Sequence, residues 1–231
     1  SAVAEWRIQT QRADALAAAD RRLSALDDNV VNHFTSLTSL GQVLSRQPQF
    51  ADFLVQRERK GAAPPPSSDR PAMQRRLSRD GDVRAMSVQL AALTRDFQIT
   101  RAMVLDTYGT AIADSALAER QANALAMNVA TRPYFIHAMD RGRGFQFVLS
   151  RLNGEPRFVA ATRVERDDKV LGVLVLVTDP QRMGRLFATA SARFITAMVD
   201  AQGRIVASSD TALMQRRVPF STPGLSVSDD G

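Results

Sequence analysis

The sequence predicts an α+β protein in which helices come first and an antiparallel sheet follows. Three observations carry this prediction. Leu16, Leu23, Leu26, Val30, Phe34, Leu37, Leu40 and Leu44 recur at steps of three, four or seven, the spacing of one apolar face on a helix. From Ile99 onward, short β-rich runs alternate with turn signals. One strand–turn–strand pattern also occurs twice, at Val104–Ser115 and again at Met198–Ser209.

The N-terminal stripe predicts a helix from Ala2 to about Leu44, roughly 65 Å long at 1.5 Å per residue. Its first turns are alanine-rich and polar, so this end is expected to project or to pair with a second copy. Gln47-Pro48-Gln49 breaks the helix, and Phe50–Val55 follows as a short one. The proline-rich run Gly61–Pro71 can hold neither a helix nor a central strand and reads as a loop. Pro71 to Phe97 is helical again, with Met73, Leu77, Val83, Met86, Leu90 and Leu93 as its apolar positions. Ile99–Leu105 and Thr110–Asp114 read as a hairpin around the turn Asp106–Gly109.

Leu117–Leu125 is polar and alanine-rich, a loop or short helix. Tyr134–Met139 is expected to be a short helix, because Pro133 suits a first-turn position. Arg141–Gly144 reads as a flexible turn and Phe145–Leu149 as a strand. Asn153-Gly154 is a hairpin turn signal. Arg157–Val164 and Val170–Val177 are strands joined by the charged turn Glu165–Lys169, and Asp179–Ala190 reads as helix. In both copies of the repeated hairpin, aspartate caps the turn and glycine takes a positive-φ position. The recurrence predicts a tandem of related domains, the second small or incomplete.

Composition removes several function classes. At 231 residues, 45% hydrophobic and 23% charged, the chain is a globular sequence with enough length to bury a core. The formal charge of +6 and pI of about 10.8 raise nucleic acid or anionic membrane as partners. The basic residues are scattered, however, and no nucleic-acid-binding motif accompanies them, so no nucleic-acid partner is expected. Absence of cysteine excludes disulfides, thiolate metal sites and cysteine nucleophiles, and fits a bacterial extracytoplasmic domain. His33 and His137 lie far apart, so no metal is expected, and no cofactor motif is visible. No catalytic triad, paired-acid motif or phosphate loop appears, and Asp106 and Asp200 are explained as turn caps, so the chain is not expected to be an enzyme. The chain begins in helix-like sequence and is expected to be a segment of something longer.

The segment Asn128-Val-Ala-Thr-Arg-Pro-Tyr-Phe135 concentrates binding chemistry. It sets a fixed cation (Arg132), a rigid turn (Pro133), a phenol (Tyr134) and a hydroxyl (Thr131) between strands. That set suits holding a small carboxylate better than breaking a bond. It equally suits a structural ion pair at Arg132 with Tyr134 and Phe135 in the core, and the residues alone leave both readings open.

With this segment, Asn153-Gly-Glu-Pro-Arg-Phe158, Gly172-Val-Leu-Val-Leu-Val-Thr-Asp179 and the second hairpin at Val199–Ser209, the chain resembles the double Cache (PAS-like) sensor domains of bacterial membrane receptors. It is most similar to the periplasmic region of C4-dicarboxylate-sensing histidine kinases, and the resemblance runs from Trp6 to Pro219. It implies a long N-terminal helix and tandem PAS-like domains, each a central antiparallel sheet flanked by helices. Residues 1–60 would be the signalling helix, 61–190 the membrane-distal ligand-binding domain, and 191–231 a small or incomplete membrane-proximal domain.

The resemblance also implies a site. Arg132 would hold a ligand carboxylate, since arginine stays charged and offers a planar fork of donors. Asn128 and Thr131 would hydrogen-bond nearby, and Tyr134 would close one side. Ser150 and Arg151 would bring a hydroxyl-bearing turn, and Arg157 a second cation. Phe147 and Thr178 complete the expected ligand-binding residues. Val177 stands where the dicarboxylate sensors carry a lysine, so a carboxylate sensor in general is better supported than a succinate or malate sensor.

The function implied is extracytoplasmic sensing of a small organic acid, in a membrane-anchored, periplasm-facing receptor that dimerises through the N-terminal helix and drives a histidine kinase. Alternatives are the sensor of a chemoreceptor or diguanylate cyclase, and a structural dimerisation domain that binds nothing.

Overall fold

The computed structural model describes residues 32, 34–61, 69–150, 156–179, 197–199, 203–208, 210–214 and 216–218. The chain divides into two compact units, Ser36–Pro180, and Ser1–Thr35 with Gln181–Gly231.

The larger unit opens with helical residues 36–45 (α1). The rest of the long helix expected from Ala2 lies outside the described residues, except at residues 32, 34 and 35. Helix α2, Pro48–Arg59, starts at the expected break, with Pro48 in its first turn and Gln47 as N-cap. The single helix expected from Pro71 to Phe97 is two helices, α3 (Arg70–Arg79) and α4 (Gly81–Asp96). Asp80 divides them. Its extended backbone (ψ 127°) ends α3, and its carboxylate accepts from the N–H groups of Asp82 and Val83 to start α4. Arg57 of α2 binds the same carboxylate at 2.5 Å.

Strands β1 (Arg101–Leu105), β2 (Ala111–Asp114), β3 (Arg143–Leu149), β4 (Pro156–Arg166) and β5 (Lys169–Thr178) form one sheet in the order β2-β1-β5-β4-β3. Every pairing is antiparallel. Between β2 and β3 lie the short helix α5 (Ser115–Ala118), a loop, and α6 (Pro133–Arg141). The flexible turn expected at Arg141–Gly144 is instead a sharp junction. Gly142 caps α6 in the left-handed conformation, and β3 begins at the next residue. The expected turn Asn153-Gly154 and the expected helix Asp179–Ala190 lie outside the described residues, Asp179 apart.

Alternation of side chains gives the sheet two unlike faces. Ala102, Val104, Ala160, Val164, Leu174 and Leu176 pack against the helices through Leu44, Phe50, Leu54, Val83, Met86 and Leu90. Leu105, Val159, Ala161, Val173, Val175 and Val177 point the other way, under Tyr134, Phe135 and Ala138 of α6 and Ala124 and Val129 of the loop. The first face is a close-packed helical layer. Among the described residues, the second is covered by one short helix and a loop, and there the cover leaves a hollow.

In the smaller unit, β6 (Ala197–Val199) and β7 (Ile205–Ser208) form a two-stranded antiparallel sheet, followed by a 3-10 turn at Thr211–Leu213.

Candidate functional site

The hollow beneath the loop is a cavity of about 380 Å³. Met103 and Leu105 of β1, Val177 of β5, Val159 of β4 and Val148 of β3 form its floor. Ala124, Met127, Val129 and Tyr134 contribute to its cover. Thr100, Arg101, Gln121, Arg132, Ser150 and Arg157 are polar residues of its lining.

Arg132 is placed by the start of α6. Its backbone is extended (φ −83°, ψ 133°), and its carbonyl accepts from Phe135 and Ile136 as the helix begins. Its own N–H donates to Val129 O at 2.8 Å, and Pro133 fixes the next φ. The helix is seated closely on β3, because a Cβ at Gly144 would lie 2.0 Å from Tyr134 O, which only glycine tolerates. The Tyr134 N–H donates to Gln146 Oε1 at 3.4 Å. Among the described residues, the Arg132 guanidinium has no hydrogen-bond or ion-pair partner.

Arg101 enters from the opposite end of the sheet. It lies across from Val177 in the β1–β5 register. Its Nη2 donates to Ala122 O at 2.8 Å, and its Nη1 is 3.7 Å from Asp114 Oδ2. Asp114 is fully buried, accepting from Ala116 N at 3.0 Å and Ala124 N at 2.6 Å. Burial pushes its carboxyl above the ordinary value of 3.8, against the pull of Arg101 and the two backbone donors.

The cavity brings together four of the expected residues, Arg132, Tyr134, Ser150 and Arg157. Four others do not line it, and each has a physical reason. Asn128 is committed to the hairpin: its amide donates to Tyr108 O at 2.8 Å and Thr110 Oγ1 at 3.1 Å, and accepts from Ala130 N at 3.1 Å. The side chain of Thr131 is exposed to solvent. Phe147 and Thr178 fall on the helix-covered face of the sheet, because alternation sends them away from the cavity. There Phe147 packs on Phe158 with ring centroids 5.4 Å apart, and Thr178 pairs with Phe158 across the strands. Arg151 lies outside the described residues.

Arg101, Thr100 and Gln121 were missed by sequence reasoning. A signal for Arg101 existed. In a strand Ile99–Leu105, residues 101, 103 and 105 share one face, so Arg101 accompanies Met103 and Leu105 wherever they point.

Solved sensor domains of bacterial receptors share this fold. In particular, the chain is similar to the sensor domain of the Vibrio cholerae histidine kinase DctB, with a TM-score of 0.74 and 17% identity over 92% of this chain and 74% of that one. It is also similar to the ligand-binding domain of the Campylobacter jejuni chemoreceptor Tlp3, solved with 4-methylisoleucine, at a TM-score of 0.56 and 12% identity over 90% and 71%. The extracellular domain of vpHK1S-Z8 gives 0.56 and 17% over 85% and 71%. No protein-family model and no curated protein sequence matches the chain. At these identities the likeness is one of fold.

Proposed function

We propose that this chain is the extracytoplasmic sensing domain of a membrane-anchored signalling receptor, and that it binds a small organic carboxylate in the cavity under the loop. Residues 61–190 are the ligand-binding domain in this reading, and residues 191–231 belong to a second domain of the same kind. The observation that carries it is Arg132: a cavity-lining arginine whose backbone is held at the start of α6 and whose guanidinium has no partner among the described residues. A partly buried cation with unmet donors is costly, and an entering carboxylate relieves that cost through charge-assisted, bidentate hydrogen bonds. The agreement in fold with a histidine kinase sensor favours a kinase as the output. Binding would act as a population shift, which requires the ligand to prefer one conformation of the loop and α6.

A thermal-shift screen with organic acids tests the reading. A true ligand at a hundred times its Kd stabilises the fold by about 2.7 kcal/mol. Arg132→Ala is expected to abolish that shift while leaving the circular dichroism spectrum unchanged. If Arg132→Ala keeps the shift, the carboxylate reading fails. Loss of the fold in the same variant would mean that Arg132 is structural.

A further inference from the structure

We infer that a second cavity, at the C-terminal end of α6, is a site for a multivalent oxyanion of the phosphate type, a ligand with two or more negative charges and no apolar body. The inference is independent of the carboxylate reading, because the two cavities share no lining residue.

Four elements build this cavity of about 440 Å³. Arg46 follows α1, Arg141 ends α6, Arg143 begins β3 and Arg163 lies on β4. Close packing brings them together. A Cβ at Gly41 would lie 2.6 Å from Thr162 Oγ1, so α1 is pressed onto β4. Thr162 in turn pairs with Arg143 in the β3–β4 register, and Arg163 N donates to Gly142 O at 2.9 Å. Gly142, at φ 84°, turns the chain between Arg141 and Arg143.

The lining chemistry is the reverse of that under the loop. None of the described lining residues has an apolar side chain, and Glu165 is the one carboxylate among them. Arg163 is anchored: its Nη1 donates to Met139 O at 2.8 Å, and its Nε pairs with Glu165. Arg141 has its exposed neighbour Asp140 at 3.6 Å. Arg46 and Arg143 have no hydrogen-bond or ion-pair partner among the described residues.

Elsewhere in the same unit, basic side chains are matched by an acid from another element. Arg57 binds Asp80 at 2.5 Å, Arg166 binds Asp52 at 2.8 Å, Lys169 binds Glu58 at 2.7 Å, and Lys60 pairs with Asp82. At the end of α6, Arg46, Arg141, Arg143 and Arg163 have Glu165 and Asp140 between them. Arginine does not shed its charge by losing a proton, so this excess is relieved by an anion. An oxyanion with several charges offers acceptors to more than one guanidinium fork. An aliphatic acid gains nothing for its body from walls without apolar side chains.

Calorimetric titration of the chain with inorganic phosphate and pyrophosphate at fixed ionic strength tests this. Pyrophosphate should bind about tenfold or more tighter than phosphate, the scale of one charge-assisted hydrogen bond, and Arg132→Ala should leave its affinity unchanged. Arg46→Gln/Arg143→Gln, at two exposed side chains, should weaken pyrophosphate about tenfold or more. Arg75→Gln/Arg79→Gln, which removes the same charge from exposed positions of α3, should not. Equal losses in the two double variants would mean general attraction to a basic protein and would overturn the inference. So would pyrophosphate no tighter than phosphate, pyrophosphate binding lost in Arg132→Ala, or no binding at all. If Arg46→Gln/Arg143→Gln melts below the titration temperature, the wild-type ratio and the responses of Arg75→Gln/Arg79→Gln and Arg132→Ala decide. Co-sedimentation with phosphatidylglycerol vesicles separates two sources of the same chemistry. Sedimentation abolished by Arg46→Gln/Arg143→Gln assigns the phosphate to a lipid headgroup, and pyrophosphate binding without sedimentation assigns it to a soluble ligand.

Discussion

The hairpins β1–β2 and β6–β7 share one geometry in detail. In the first, Met103 faces Asp114, Val104 faces Ala113, and a shift after Val104 brings Leu105 to Ala111. In the second, Ala197 faces Ser208, Met198 faces Ala207, and the same shift brings Val199 to Ile205. The turn glycines, Gly109 and Gly203, have φ of 76° and 74°. A later segment returns to each hairpin in the same way. Ala111 N donates to Met127 O and Val129 N to Gly109 O, just as Ile205 N donates to Arg216 O and Val218 N to Gly203 O. What differs is the chemistry hung on this frame. The first copy carries Arg101 and the buried Asp114, and the second has Ile195 and Ser208 at the aligned positions. Backbone geometry follows the turn residues; of the charged pair, Arg101 lines the cavity and Asp114 is buried behind it, holding the N–H groups of Ala116 and Ala124.

The largest expected effects are at the glycines. Alanine at position 109 would sit at positive φ with its Cβ 2.8 Å from Ala130 N, a backbone atom that cannot move away cheaply. Gly109→Ala is expected to cost about 4 kcal/mol, strain and overpacking together. At Gly203 the nearest atom is Val218 O at 3.1 Å, so Gly203→Ala should cost about 1–2 kcal/mol, mostly conformational strain. Urea unfolding combined with hydrogen exchange at each hairpin measures the two. Equal costs would mean that the return segments press on the turns alike, and the comparison would lose its first distinction.

The caps at Asp114 and Ser208 come next. Asp114 accepts from Ala116 N and Ala124 N, whereas Ser208 Oγ accepts, among the described residues, from Asp210 N at 3.1 Å. Asp114→Ala strands two buried donors and leaves Arg101 without its neighbouring charge, for about 3 kcal/mol. Ser208→Ala gives up one hydrogen bond, for about 1 kcal/mol. An Asp114→Ala variant as stable as Ser208→Ala would show that the Ala124 contact adds nothing, and that the loop over the cavity is held elsewhere.

How much of this was readable before any coordinates depends on whether the signal is local. The hairpin repeat, the helix opening at Pro133 and the strands of the closing sheet were legible, because turn residues and apolar periodicity act over a few positions. The break at Asp80 was not, since the apolar stripe runs through it from Leu77 to Val83 and only the capping carboxylate ends it. Of the expected residues, Arg132 and Tyr134 line the cavity from their own segment. Asn128 does not line it, because an amide suited to a ligand is equally suited to tying a loop to a turn. Phe147 and Thr178 lie on the other face of the sheet, a parity that strand alternation could have supplied. Arg101 is distant in sequence from the Asn128–Phe135 segment, and only strand pairing brings it to the cavity wall beside Val177.

The smallest expected effect concerns the turn carboxylate Asp106, and pH exposes it. Its Oδ1 accepts from Tyr108 N at 2.9 Å and Thr110 N at 2.8 Å, while Oδ2 is buried with no hydrogen-bond partner among the described residues. Burial raises this carboxyl above 3.8, against the two backbone donors. The folded state therefore holds the proton more tightly than the unfolded chain does. The resulting stability is complete below pH 3.8 and is lost as pH rises through the folded value. Asp80 has the opposite sign. Burial pushes its carboxyl up, but Arg57 and the N–H groups of Val83 and Asp82 outweigh that and hold it below 3.8. Its stability is present above the unfolded value and lost as pH falls through the folded one. Asp106→Asn keeps Oδ1 for both turn donors and removes the buried charge. The variant should match the wild type at pH 7 or exceed it by up to about 1 kcal/mol, with a flatter fall in stability above pH 4. Asp80→Asn should instead lose stability at pH 7 and flatten the fall toward acid. Denaturant midpoints between pH 3 and pH 7 read both slopes. An unchanged slope in Asp106→Asn would mean that its carboxylate is compensated in the folded state, and that burial puts no net electrostatic strain on the first turn.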